Sequence, residues 1–176
     1  CDTCRTYEDK QQKETLMPHT LPTRPWEKVG CDLFTRDGTN YLVTVDYYSN
    51  FWELDELESD TTSETIIMKL KAHFARYGSP TQVISDNGPQ FISEAFQRFA
   101  TQWDFEHLCS SPGHQRANGK AESAVKTAKK LIKKCNASHG SIQTALLDHR
   151  NTPTNGLQTS PAGVALGLKR RGHSWM

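Results

Sequence analysis

The sequence predicts a mixed α/β domain, a sheet begun by hairpin-linked strands and extended by strands reached through helices. Three observations predict it. Apolar, β-rich runs at 29–34, 41–47 and 51–57 are joined by the short turn signals Asp37-Gly38 and Ser49-Asn50. Two further short runs, at 81–85 and 105–109, each follow a stretch of helical periodicity. The length of 176 residues suits one domain of ordinary size, large enough to bury most of a core.

Each element has its own signal. Residues 5–28 hold Pro18, Pro22 and Pro25 without lasting periodicity, which marks a connector. The first three strands form an antiparallel meander because their connections are short. Thr61 and Glu64 fit a capping box, and Ile66, Ile67, Leu70, Phe74 and Tyr77 follow at helical spacing. Gly78 and Pro80 stop that helix. Val83-Ile84 centre the fourth strand, and Ser93 caps a helix whose face carries Phe96, Phe99, Ala100 and Trp103. The fifth strand follows at 105–109, and residues 110–119, SSPGHQRANG, have loop composition. A long helix over about 118–137 presents Ala121, Ala124, Val125, Ala128, Ile132 and Cys135 on its apolar face. A shorter helix spans about 141–149, and Ser160-Pro161 opens a last helical turn.

Composition narrows the function. No apolar run approaches the roughly 18 residues needed to cross a bilayer, and no secretory leader opens the chain, so membrane and secreted classes are not expected. Five cysteines are irregularly spaced, with Cys31, Cys109 and Cys135 singly among apolar neighbours, and read as buried thiols of a reducing compartment rather than a disulfide frame. The start at Cys1 points to a piece of a longer polypeptide. The net charge of +1 conceals an asymmetry. Residues 1–110 hold 10 Lys/Arg against 18 Asp/Glu, and residues 111–176 hold 11 against 2. A basic segment on an acidic body suits a polyanion, although a solvated lysine-rich helix would have the same composition.

Three carboxylates occupy unusual places. Asp32 lies within the first strand among apolar residues, Asp86 ends the fourth strand and opens the turn DNGPQ, and Glu122 begins the long helix. Singly, each has a structural explanation: a satisfied strand carboxylate, a turn former, or an anion at a helix N-terminus. Jointly they suggest a site, because charges at core strand ends are costly unless paired or metal-bound.

Thirty-five residues separate Asp86 from Glu122. With this interval, the chain resembles the catalytic core of retroviral and Ty3/gypsy-type retrotransposon integrases, the D,D-35-E type. RPWEKVGCDLF, YLVTVDYYSNF, KLKAHFARYGSP, ISDNGPQF, SPGHQRANGKAESAVK and RNTPTNGLQTSP carry the resemblance over residues 24–167. It implies an RNase H-like fold, a five-stranded mixed sheet flanked by helices. It implies Asp32, Asp86 and Glu122 as catalytic residues and as ligands of two Mg²⁺ or Mn²⁺ ions. The implied reactions are 3′-end processing and strand transfer, the joining of element ends to target DNA. Hard divalent ions prefer oxygen ligands and can clamp both the attacking and the leaving oxygen of a phosphodiester.

Lys126, Lys129, Lys130 and Lys133 share one side of the long helix with Glu122. Lys126 and Lys129 match family lysines that contact DNA ends, and Asn118 and Gln115 are expected to donate to DNA. The loop departs from the family form, with Gly113 where an aromatic is frequent. Cys1 and Cys4 look like the last two ligands of an integrase zinc module, with Zn²⁺ bound only in the longer parent. The expected organisation is a zinc-module end plus Pro-rich connector (1–28), a catalytic core (29–152) and a C-terminal extension (153–176). Expected partners are DNA and further copies of the chain, without a membrane. The expected location is the nucleus, with virus-like particles as a second setting. Two other readings stand beside the integrase: an idle, domesticated copy serving as a DNA-binding module, and an RNase H-type nuclease acting on RNA–DNA hybrids.

Overall fold

The computed structural model describes residues 21–110, 118–153 and 158–167. Its strands are β1 (Lys28–Arg36), β2 (Thr39–Asp46), β3 (Trp52–Leu57), β4 (Gln82–Ser85) and β5 (Glu106–Cys109). Its helices are α1 (Ser63–Tyr77), α2 (Glu94–Gln102), α3 (Gly119–Ser138), α4 (Ile142–Asn151) and α5 (Pro161–Leu166). The sheet order is β3-β2-β1-β4-β5. β1, β2 and β3 pair antiparallel, whereas β4 is parallel to both β1 and β5.

Local chemistry sets the boundaries. Asp37 and Gly38 both take positive φ, 50° and 80°, as a two-residue hairpin of primed type requires. The cap of α1 is Thr62, one residue beyond the expected Thr61, and its hydroxyl accepts from the Thr65 amide. Asp60 draws the cap onward by accepting from the Thr62 amide (2.8 Å) and the Thr65 hydroxyl (2.6 Å). Ser93 and Ser160 cap α2 and α5 as expected.

The sheet separates two apolar layers. On one face, Val29, Cys31, Leu42 and Val83 pack with Ile66, Leu70 and Phe74 of α1 and Phe96 and Phe99 of α2. On the other, Phe34, Val43, Val45 and Trp52 meet Ala121, Ala124, Val125, Ala128 and Ile132 of α3 and Leu146 of α4. All six residues read as the apolar face of α3 are buried. Cys31 and Cys135 are buried, but Cys109 is exposed, because β5 is a short edge strand.

Two polar clusters tie the layers together. Asp46 is buried and accepts from the amides of Trp26 (3.0 Å), Tyr48 (3.1 Å) and Ser49 (3.1 Å) and from the Ser49 hydroxyl (2.5 Å). The Trp26 ring stacks on Tyr77 at 4.2 Å, so the end of the connector is held as core. At the far edge, Arg150 donates to the Trp52 carbonyl (2.8 Å) and to Glu53 (2.7 Å), which locks α4 against β3. The Trp52 indole also donates to His149 Nε2 at 3.0 Å.

Candidate metal and nucleic-acid site

Strand alternation aims Asp32. Cys31 and Leu33 pack into the layer of α1 and α2, so Asp32 shares the α3 face with Phe34. The half-buried Asp32 side chain thus belongs to the sheet face on which the helix carrying Glu122 packs.

Asp86 arrives through parallel register. Lys28 pairs with Gln82, Val29 with Val83 and Gly30 with Ile84. Continued two steps, that register sets Asp32 beside Asp86, immediately beyond the end of β4. The exposed Asp86 carboxylate accepts through Oδ1 from the Gly88 amide at 3.0 Å, an Asx turn that orients it.

Glu122 arrives through close packing of α3 on β1. A Cβ on Gly30 would stand 3.4 Å from the Ala121 Cβ, 3.2 Å from Asn118 Oδ1 and 2.9 Å from the Tyr47 ring. Glycine therefore lets the first turn of α3 approach the strand. Lys120 reinforces the contact by donating to the Tyr47 carbonyl (2.5 Å) and to Asn50 Oδ1 (2.8 Å). Farther along, Lys129 lies 5.4 Å from the Phe34 ring centre, and Asn136 donates to Asp37 at 3.1 Å. The helix thus follows β1 in the strand's own direction. Glu122, in its first turn, is exposed.

Electrostatics registers the meeting of the three. The Asp32 pKa is pushed up from 3.8 to about 6, first by desolvation and next by the Asp86 charge, with Glu122 adding to the rise. The Leu33 amide and Lys129 act in the opposite direction. Two other carboxylates therefore lie close enough to oppose ionisation of Asp32.

Among the described residues, no three His, Cys, Asp or Glu side chains stand together at ion-holding distance. The carboxylates are neighbours rather than a preformed cage. The donor chemistry still fits a hard divalent cation: the donors are all oxygen, they repel one another, and two of the three are solvent-accessible.

Lys126, Lys130 and Lys133 are exposed, whereas Lys129 is half-buried against Phe34. Asn118 departs from the expectation that it faces nucleic acid. It is buried, and its amide donates to the Cys31 carbonyl at 3.3 Å, which fixes the start of α3. Cys1, Cys4 and Gln115 lie outside the described residues. Sequence reasoning missed Lys120, whose signal was its position two residues before Glu122, and Gly30, two residues before Asp32.

Comparison with known proteins agrees with this architecture. The integrase core domain family matches residues 22–115. An uncharacterized Caenorhabditis elegans protein, K02A2.6, is 32% identical over 97% of the chain, which covers 14% of that protein. The transposon Tf2-3 polyprotein of Schizosaccharomyces pombe is 29% identical over 79% of the chain, which covers 11% of the polyprotein. The chain thus spans a small part of these relatives. Among solved structures, a simian T-cell lymphotropic virus intasome in complex with the PP2A regulatory subunit B56 gamma aligns with a TM-score of 0.73. Identity there is 20%, covering 82% of this chain and 56% of that one. The HTLV-2 integrase catalytic core domain, solved in complex with magnesium in a trimeric form, aligns with a TM-score of 0.64 and 19% identity. That alignment covers 81% of this chain and 98% of the viral one. The five-stranded mixed sheet is accordingly RNase H-like, and the chain belongs to the integrase core domain family.

Proposed function

We propose that the chain is the catalytic core of a retrotransposon integrase, a polynucleotidyl transferase that processes DNA 3′ ends and joins them to target DNA. The observation that carries this reading is the shared field of Asp32, Asp86 and Glu122, three carboxylates from three separate elements. Asp32, Asp86 and Glu122 would hold Mg²⁺ or Mn²⁺. When bound, these ions polarise the scissile phosphate and favour deprotonation of the attacking water or 3′-hydroxyl.

The chain's own residues do the rest. The Asx turn at Gly88 keeps Asp86 directed past the strand end. Packing on Gly30 holds Glu122 over the same end of the sheet. Lys126, Lys130 and Lys133 offer exposed ammonium groups to the phosphate backbone on the side of α3 that carries Glu122. Lys129, braced on Phe34, is the lysine whose charge reaches Asp32. Such contacts give affinity and position without reading bases. The magnesium complex of the viral core and the intasome support extending metal and DNA binding to this chain, with assembly of several copies on DNA ends. On this reading the joining is done in the nucleus.

The test incubates the chain with Mn²⁺ and a branched duplex whose resealing is the microscopic reverse of strand joining. Resealing that is lost in Asp86→Asn is the expected result. Equal product from Asp86→Asn overturns the assignment of the carboxylates. DNA binding without any strand breakage or joining, in parent and variant alike, favours the idle DNA-binding module, which needs only the lysine side of α3.

A further inference from the structure

Behind Asp86 lies a polar relay that the reaction as proposed does not use. Ser85 is fully buried, and its Oγ stands 2.8 Å from the Asp86 carbonyl oxygen and 2.9 Å from His107 Nε2. β4 and β5 pair Ser85 with Cys109, so His107 reaches the serine from the neighbouring strand. The His107 ring packs on Phe96 at 4.7 Å, which limits its rotation.

Proton counting ties the direction of the relay to where the Ser85 proton goes. A carbonyl oxygen can only accept, and a serine hydroxyl has one proton. If Ser85 donates to the Asp86 carbonyl, His107 Nε2 must donate to Ser85. The Cys109 sulfur also lies 3.8 Å from that nitrogen. A thiol is a weak partner, so the oxygen at 2.9 Å decides the tautomer.

We propose that His107 is a positioning residue for Asp86: it donates from Nε2 to Ser85, and Ser85 holds the Asp86–Asn87 peptide plane. The inference rests on Asp86 being a metal ligand. The relay grips the peptide behind Asp86, and the Gly88 amide grips its carboxylate in front. Together they fix the ligand's direction before any ion arrives. Groups that orient a metal ligand in this way typically change metal affinity 10–100-fold when removed.

The experiment titrates Mn²⁺ into the whole chain, following the free ion by electron paramagnetic resonance. His107→Phe keeps a ring against Phe96 but has no donor, and Ser85→Ala removes only the hydroxyl. Both are expected to weaken Mn²⁺ binding about 10-fold or more while melting within a few degrees of the parent. His107→Gln restores an N–H donor and is expected to recover most of the affinity. In the metal-free parent, nitrogen-15 spectra are expected to show His107 protonated at Nε2 and bare at Nδ1. Parent-like affinity in both His107→Phe and Ser85→Ala, or an Nδ1–H tautomer, overturns the relay. Asp86→Asn separates the two levels. Loss of binding there with parent-like His107→Phe and Ser85→Ala sinks the relay alone, whereas undiminished binding in Asp86→Asn sinks the metal site and the relay together.

Discussion

Replacing Asp32 with Asn should make the metal-free protein more stable, although on the proposed reading it removes a metal ligand. In the folded chain the Asp32 pKa is about 6 against an ordinary 3.8, because burial and the charges of Asp86 and Glu122 oppose ionisation. The folded state therefore binds this proton more tightly than the unfolded chain does. Between pH 4 and pH 6 the folded state carries more protons, so this group's contribution to stability falls as pH rises, and above about pH 6 the full penalty applies. A two-unit shift is worth about 3 kcal/mol at most, and solvent screening of a half-exposed carboxylate reduces it to about 1–2 kcal/mol. Asparagine has no charge to desolvate. In EDTA at pH 7.5, Asp32→Asn should melt about 2–8 °C above the parent, the usual scale for 1–2 kcal/mol in a domain of this size. At pH 4 the difference should nearly vanish. Differential scanning fluorimetry at both pH values measures it. Adding Mn²⁺ should then raise the parent's melting temperature but not the variant's. A variant that melts at or below the parent at pH 7.5 in EDTA refutes the crowding of charge at Asp32.

Three further outcomes follow from contacts described above. Lys126→Ala/Lys129→Ala should bind duplex DNA more weakly, with the slope of log affinity against log salt shallower by about 1.8, two contacts at about 0.9 each; an unchanged slope removes these lysines from the interface. Gly30→Ala should cost about 1–3 kcal/mol in urea unfolding, because its Cβ would meet the Tyr47 ring at 2.9 Å and crowd Asn118 and Ala121; parent-like stability would mean that α3 does not sit this close to β1. His149 has its pKa lowered by burial and by Arg150, and its Nε2 accepts from the Trp52 indole. The unfolded chain therefore takes up this proton first, so stability should fall as pH drops below about 6.5. His149→Gln should flatten that part of the profile, and an unaltered profile in this variant would assign the slope to another group.

Local signals in the sequence carried most of the fold. The hairpin at Asp37-Gly38, the Ser93 and Ser160 caps and the apolar face of α3 were all legible, because each depends on neighbours within a few residues. The α1 cap was misplaced by one residue because Asp60, outside the S/T-x-x-E pattern, draws it to Thr62. Carboxylate placement was legible as well: a charge inside an apolar strand and another at a strand end stand out in any sequence. The supports of the site were not. Asn118 looked like a loop donor, yet it is committed to Cys31, 87 positions away. The roles of Gly30 and Lys120 arise from contact between β1, the β2–β3 turn and α3, which no local pattern encodes. The relay from His107 to Ser85 depends on the register of two parallel strands.

The shared course of α3 and β1 gives the domain a ruler. From Glu122 to Lys133 the helix advances eleven residues, about 16 Å at roughly 1.5 Å per residue. Duplex DNA climbs about 3.4 Å per base pair, so on the proposed reading the lysine line would span about five base pairs from the reacting phosphate. On the proposed reading, a duplex trimmed below that span leaves the distal lysines without a phosphate, and its grip should weaken stepwise with each pair removed.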